Sequence, residues 1–306
     1  MPLVIHPWRA RMDTPHHFLV TSDGIRIAHR FDGDAHLPVL LLSNSIATDL
    51  HMWDGQVALL ARHFRVLRYD ARGHGASDVP AGPYSIDRLG RDAVELLDAL
   101  GLERTHVLGL SLGGFVAQWL AIHVPGRIGR LVLSNTAAWL GPAETWRQPI
   151  ANLMQAPDMA ETAETFLRNW FPPGLLTSND ATVRAFRNTL LSTRREGIAG
   201  SWAAIRDADL RRTIRIIEAP TLVIAGRHDT VTTALHGHEL AATIPRARFE
   251  LLPSVHLPNV EMPGRFVELV TRFLLDATGD ADSLDAAGPM ERCVSASSVD
   301  VRASAA

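Results

Sequence analysis

Three residues of this chain have the types and the order that acyl transfer through a serine requires: Ser111, Asp229 and His256. Ser111 lies in Gly109-Leu110-Ser111-Leu112-Gly113, which fits G-x-S-x-G, the nucleophile elbow. An attacking serine must stand on a sharp turn between a strand and a helix, with its hydroxyl pointing out of the sheet. Side chains two positions to either side would clash in so tight a turn, which calls for glycine there. The helix that follows aims N–H groups and its positive dipole end at the reacting oxygen. The pentad by itself also fits a glycine-rich turn with a capping serine. Context decides between them: a strand before, a helix after, then an Asp and a His in that order.

Both partners are present. Asp229 follows the apolar run 221–225 through Gly226-Arg227-His228, and His256 follows the run 248–252 through Pro253-Ser254-Val255. Each therefore falls in a loop at the C-terminal end of an expected strand, the same edge as Ser111. In the roles this implies, Ser111 attacks, and His256 takes its proton and returns it to the leaving group. Asp229 orients His256 and stabilises its imidazolium. Taken singly, Asp229 reads as a loop carboxylate and His256 as one of 14 histidines. Taken together, each on a strand end, they read as a triad. An oxyanion hole needs two N–H donors. Leu112, directly after the nucleophile, supplies one, and the loop 43–49 supplies the other, by position from Ile46.

The elements that must hold these groups are legible as an alternation. Residues 18–31 read as a β-hairpin turning at Asp23-Gly24. The runs 39–42, 64–69, 107–108 and 130–134 read as strands. Helical spacing covers 53–63, 86–100 and 112–123, the second stopped by Gly101. From about 140 to 217 the pattern is helical throughout, punctuated by Pro149, Pro157, Pro172 and Pro173. Alternation then resumes, with helices over 234–243 and 263–276 and a strand over 248–252. This is an α/β chain with a mostly parallel sheet and helices on both faces. Residues 16–139 and 218–276 form its core, and 140–217 form a helical cap over the sheet edge where such folds bind ligands. Residues 1–15 read as a loose arm, and 277–306, rich in Ala, Ser and Asp, as disordered. Trp139, Trp146, Trp170 and Trp202, with Phe166 and Phe171, read as cap core, one or two of them being able to line the pocket, and the cap also carries several arginines. Trp139, at the edge of the core beside the cap, and Arg206, within the cap, are the expected substrate contacts, an inward arginine being able to grip a carboxylate.

Composition narrows the function classes. With 306 residues and 46% hydrophobic content the chain can bury a large core. A formal charge of -3 implies no attraction to nucleic acid or membrane. No apolar run reaches the roughly 18 residues of a bilayer span. The start of the chain lacks the pattern of a secretory signal, and Cys293 is the only cysteine, so the expected location is the cytoplasm. The turn 70–78 is glycine-rich but lacks a phosphate-loop pattern, and reads as a structural turn pinned by Arg72 and Asp78. His236-Gly237-His238 and His16-His17 lack ligand partners at metal spacing. No metal and no cofactor is expected.

Residues from about 17 to 276 resemble the α/β-hydrolase superfamily. The turn Asp70–Asp78, the elbow, Ala225-Gly-Arg-His-Asp229, and His256 followed by Glu261-Met-Pro263 carry that likeness. Within it, three stretches resemble the 3-oxoadipate enol-lactonases. They are Leu42-Ser-Asn-Ser-Ile-Ala-Thr-Asp-Leu-His-Met-Trp53, Ser134-Asn-Thr-Ala-Ala138 and Gly200-Ser-Trp-Ala-Ala-Ile-Arg-Asp-Ala-Asp-Leu210. The resemblance implies hydrolysis of a small anionic enol-lactone from aromatic catabolism, giving 3-oxoadipate. The enol oxygen is a good leaving group and stays tethered until water cleaves the acyl-enzyme. Two departures stand out: Ile46-Ala47 where these lactonases usually carry Leu-Gly, and Trp139 at a position often basic in them. The alternatives are a general carboxylesterase or a related cofactor-free hydrolase (perhydrolase, C–C hydrolase), and a non-enzymatic ligand receptor on the same fold. Serine at the nucleophile position argues against dehalogenases and epoxide hydrolases.

Overall fold

The turn at Asp23-Gly24 joins β1 (His17–Val20) to β2 (Arg26–Asp32) in the expected hairpin, with His17 opposite His29 and Val20 opposite Arg26. This is a computed structural model, and it describes residues 16–178 and 180–276. The expected arm, 1–15, and the tail, 277–306, lie outside the described residues. After the hairpin, strands and helices alternate: β3 (Val39–Ser43), α1 (Asp54–Leu60), β4 (Arg65–Tyr69), α2 (Ile86–Ala99), β5 (Thr105–Leu110), α3 (Leu112–His123) and β6 (Ile128–Ser134). Five helices interrupt the alternation: α4 (Glu144–Gln155), α5 (Ala160–Trp170), α6 (Pro173–Thr177), α7 (Ala181–Ser192) and α8 (Arg195–Asp207). It then resumes with β7 (Thr221–Gly226), α9 (Ala234–Thr243), β8 (Ala247–Leu252), α10 (Pro258–Glu261) and α11 (Pro263–Leu275).

The eight strands form one sheet in the order β1-β2-β4-β3-β5-β6-β7-β8. The hairpin strands pair antiparallel, including β2 with β4, and all later neighbours are parallel. Strand side chains alternate between the two faces. In β3 the run Leu40-Leu41-Leu42 is fully buried, and in β7 all six residues are buried, so helices cover both faces. Because β5 to β8 are parallel and in register (Leu110 beside Ser134, Ser134 beside Ile224, Gly226 beside Leu252), their C-terminal loops share one edge. That edge receives Ser111, Asp229 and His256.

Local chemistry accounts for most boundaries. Ser85 caps α2 by accepting from Arg88 N, and Ile86, Leu89, Ala93, Leu96 and Leu97 form its buried stripe. Helix α3 is buried on nearly every residue, as a helix beneath other helices must be. The helix expected over 53–63 is shorter. A 3₁₀ turn capped by Asp49 covers Leu50–Trp53, and α1 closes where Phe64 N donates to Leu60 O, which leaves Phe64 outside β4. Pro149 lies inside α4 rather than at an end. It costs that helix one backbone bond, while Pro173 sits at the start of α6, where the missing N–H is harmless.

The turn 70–78 is tied down more widely than Arg72 and Asp78 alone would do. The Asp70 carboxylate accepts from Leu50 N at 2.7 Å and Ala76 N at 2.8 Å, joining this turn to the loop after β3. Arg72 pairs with Asp92 of α2 at 2.5 Å and Asp23 of the hairpin turn at 3.0 Å, and Asp78 pairs with Arg26 at 2.8 Å. No helix among the described residues is long and apolar enough to cross a membrane.

Candidate active site

Ser111 sits between β5 and α3 with φ 57° and ψ -116°, a conformation non-glycine residues rarely adopt. Such strain costs about 1–3 kcal/mol and persists only where the surroundings over-determine it. Here they do. Ser111 N donates to Ser134 O at 3.0 Å, and Ser111 O accepts from Thr136 Oγ1 at 2.8 Å. Gly113 N donates to Asn44 O at 2.9 Å. The pentad's glycines are steric necessities: a Cβ on Gly109 would lie 2.2 Å from Gly113 O, and one on Gly113 2.0 Å from Ser43 O. Strand β3 and the elbow touch backbone to backbone.

Asp229 and His256 meet as expected. His256 Nδ1 lies 2.7 Å from Asp229 Oδ2, and both residues are buried. The other Asp229 oxygen accepts from Val231 N at 2.8 Å and Thr232 N at 3.0 Å. Oδ2 also accepts from Thr232 Oγ1 at 2.8 Å and Asn135 Nδ2 at 2.9 Å. Burial pushes the Asp229 carboxyl up, but the charge and hydrogen bond of His256, with Asn135 and Thr232, outweigh it. The net result is a carboxyl held below its ordinary value. Nearby, Glu261 Oε1 accepts from Val255 N at 2.9 Å. Burial, with the charge of Asp229, pushes the Glu261 carboxyl up to about 7 against that hydrogen bond.

The loop after β3 is tied down by hydrogen bonds. Asn44 donates to Tyr69 O at 2.8 Å and accepts from Trp53 Nε1 at 2.8 Å, while Thr48 Oγ1 donates to Ser45 O at 2.7 Å. Ala47 has φ 58°, a turn that reverses the chain just after Ile46. Neither Ile46 N nor Leu112 N donates to a protein acceptor among the described residues. Two free N–H groups flank the nucleophile, one from each side of the β3–elbow contact.

Ser111, His256 and Ile46 line one cavity of about 660 Å³. Its other wall comes from α4, α5 and α8: Trp146, Leu153, Phe166, Trp170, Trp202 and Ile205. Phe166 stacks on Trp202 at 5.9 Å and packs on Trp170 at 5.1 Å. No arginine lines the cavity among the described residues, and the chain has no lysine. Its one lining carboxylate is Glu161, at the exposed rim. Phe171 is buried against Phe186 instead, 5.4 Å away.

Trp139 and Arg206 are not brought to this cavity. Trp139 faces a separate hollow of about 360 Å³, with the Arg211 guanidinium 4.0 Å above its ring. Arg206 turns outward and forks onto the neighbouring Asp207 at 2.6 and 2.7 Å. Sequence reasoning gave no role to Asn135, Thr232 and Glu261, although Asn135 and Glu261 lie in stretches that carry the family likeness. Asn135 follows a strand on the site's edge, a position that could have been flagged by the same strand-end rule that found Asp229.

Comparison with known proteins agrees with this fold. A model of the alpha/beta hydrolase fold matches residues 38–263. The chain is similar to 3-oxoadipate enol-lactonase 2 of Acinetobacter baylyi, at 38% identity over 81% of this chain and 92% of that protein. It is 33% identical to 3-oxoadipate enol-lactonase 1 of the same organism, over 86% of this chain and 98% of that protein. Among solved structures, a hydrolase from Pseudomonas aeruginosa PA01 is similar at 60% identity and a TM-score of 0.85, covering 86% of this chain and 99% of that one. The enol-lactonase from Burkholderia xenovorans LB400 is similar at 38% identity and a TM-score of 0.82, covering 84% and 99%. By sequence and by overall structure, the chain belongs to the α/β-hydrolase fold family.

Proposed function

We propose that this protein is a serine hydrolase that opens a small lactone, or cleaves a small ester, through an acyl-enzyme on Ser111. The observation that carries the reading is the convergence of a strained Ser111 and an Asp229-paired His256 on one cavity. In the proposed mechanism Ser111 Oγ attacks the carbonyl carbon while His256 Nε2 takes its proton. Asp229 holds the imidazole by Nδ1 and stabilises the imidazolium. The developing oxyanion is met by the N–H groups of Leu112 and Ile46. Collapse breaks the C–O bond, and the leaving oxygen takes the proton from His256. Water, deprotonated by the same imidazole, then releases the acid and restores Ser111. In this reading residues 140–217 are the cap that shapes the acyl pocket, the substrate is a small molecule, and the enzyme works in the cytoplasm.

The resemblance and the names of the relatives put 3-oxoadipate enol-lactone first among substrates. Its enol oxygen departs readily and remains tethered in the acyl group. A second reading, a general carboxylesterase for uncharged substrates, is favoured by the cavity wall, which offers aromatic rings and no cation. Burying a carboxylate without a charged partner is unfavourable. One experiment separates the two. The loss of 3-oxoadipate enol-lactone absorbance is followed with wild type and Ser111→Ala, beside a short-chain p-nitrophenyl ester. Rapid lactone loss that vanishes in the variant supports the lactonase. Ester cleavage without lactone turnover moves the function to the esterase. Turnover of neither substrate by wild type sinks both readings.

A further inference from the structure

Asp229 and His256 come from different loops, after β7 and after β8; Thr232, on the first loop, lies 2.8 Å from Asp229 Oδ2 and 3.3 Å from His256 Nδ1, and one side chain from a third loop bonds to both loops. Asn135, the first residue after β6, is 1% exposed and does not line the cavity. Both of its amide protons are engaged: Nδ2 donates to Asp229 Oδ2 at 2.9 Å and to Val255 O at 3.0 Å. The first acceptor is the same oxygen that receives His256 Nδ1. The second is the carbonyl of the residue directly before His256. On its other side, Asn135 Oδ1 accepts from Ser134 Oγ at 3.1 Å, which fixes which way the amide faces. Its backbone is pinned too, with N donating to Ile224 O of β7 at 2.9 Å and φ at 45°. Space for the bridge is kept by Gly226, where a Cβ would lie 2.0 Å from Val255 O and 2.9 Å from Asn135 Nδ2.

We propose that Asn135 is a positioning residue of this site, the amide that locks Asp229 and the His256 loop to each other and, with Thr232, holds the shared oxygen in line with the imidazole. The proposal rests on the reading of Ser111, His256 and Asp229 as the triad. It accounts for the residue type. The position needs two donors, no charge and tolerance of a left-handed backbone, and asparagine meets all three. An aspartate of the same shape would place a second carboxylate against Asp229, where only one of the two can ionise. The charged groups facing this bridge are Asp229, His256 and Glu261.

The test uses a fluorophosphonate probe, so that it does not depend on the natural substrate. Ser111 Oγ forms a bond to phosphorus, fluoride leaves, and the serine proton passes to His256. The labelling rate is measured from pH 5.5 to 8.5 for wild type, Asn135→Gly, Asn135→Asp and Asp229→Asn, each with its melting temperature. Asn135→Gly keeps the backbone conformation and removes both donors. It is expected to label about 10- to 100-fold more slowly at pH 7.5, the worth of hydrogen bonds to a charged group. Asn135→Asp is expected to approach wild type at low pH, where its carboxyl carries a proton to donate. It should fall away by at least about 10-fold as pH rises and that donor is lost. Glu261 titrates in wild type as well, so the ratio of Asn135→Asp to wild type is the quantity read. A merely structural role would lower the melting temperature and leave that ratio level. A level ratio, or Asn135→Gly labelling at the wild-type rate, overturns the proposal. If Asp229→Asn also labels at the wild-type rate, the triad reading itself fails; if Asp229→Asn alone collapses, only the role of Asn135 does.

Discussion

The two walls of the cavity are built on different principles. The wall of strand-end loops is backbone-determined: Ser111, Asp229 and His256 are 7%, 4% and 1% exposed, and each sits in a web of short hydrogen bonds. The wall from α4, α5 and α8 is packed ring against ring, and its polar members, Asn152, Gln155, Glu161 and Thr165, reach solvent. The first wall requires particular atoms at particular points. The second requires shape and apolar area, which many side chains supply. Rate should therefore live in one wall and selectivity in the other.

Substitutions on the two walls should separate accordingly. His256→Ala is expected to lower kcat by about 10,000-fold with the fold intact, read by turnover and circular dichroism. Gly113→Ala strikes the backbone beneath the nucleophile: its methyl meets Ser43 O, and Ser43 cannot retreat because β3 is buried between β4 and β5. A loss of about 3 kcal/mol in urea unfolding is expected. Trp202→Ala, on the helical wall, should raise KM about 10-fold and change kcat little for an apolar ester. If it instead lowers kcat as His256→Ala does, the division between the walls fails.

A subtler effect concerns Glu261. Its carboxyl is raised from 4.5 to about 7, so the folded protein binds more protons than the unfolded chain between those values. Stability from this group is therefore present below about 4.5 and lost as pH rises through about 7. Glutamine keeps an oxygen for Val255 N and removes the titration. Glu261→Gln should raise the melting temperature at pH 8 and leave it unchanged at pH 5. The smallest effect belongs to Arg206→Ala. Its partner is the adjacent, exposed Asp207, so stability should move by under about 0.5 kcal/mol and KM not at all.

The same contrast explains what could be read from the chain. The parallel sheet was legible because its strands are short apolar runs such as Leu40-Leu41-Leu42, and the reacting residues were legible because serine chemistry demands fixed types in fixed order. The helical wall resisted. Whether Trp146 or Trp139 faces Ser111 depends on how α4 rotates against α8 and where the chain leaves β6, and neither is encoded in local spacing. Pro149 was misleading, since a helix supported by packing tolerates one missing bond. The role of Asn135 was not legible, although its stretch carries the family likeness, because its partners lie on two other loops, brought near by the register of β6 with β7. Arg206 is drawn off by Asp207, a pairing that adjacent positions on a helix do not predict.

The most direct test of the account is the site of covalent attachment. Wild-type protein mixed with a p-nitrophenyl ester and quenched in acid should carry the acyl group on the peptide containing Ser111, by mass spectrometry. Ser111→Ala should carry none and turn over no ester. Turnover that persists in Ser111→Ala, or an acyl group found on another residue, would contradict it.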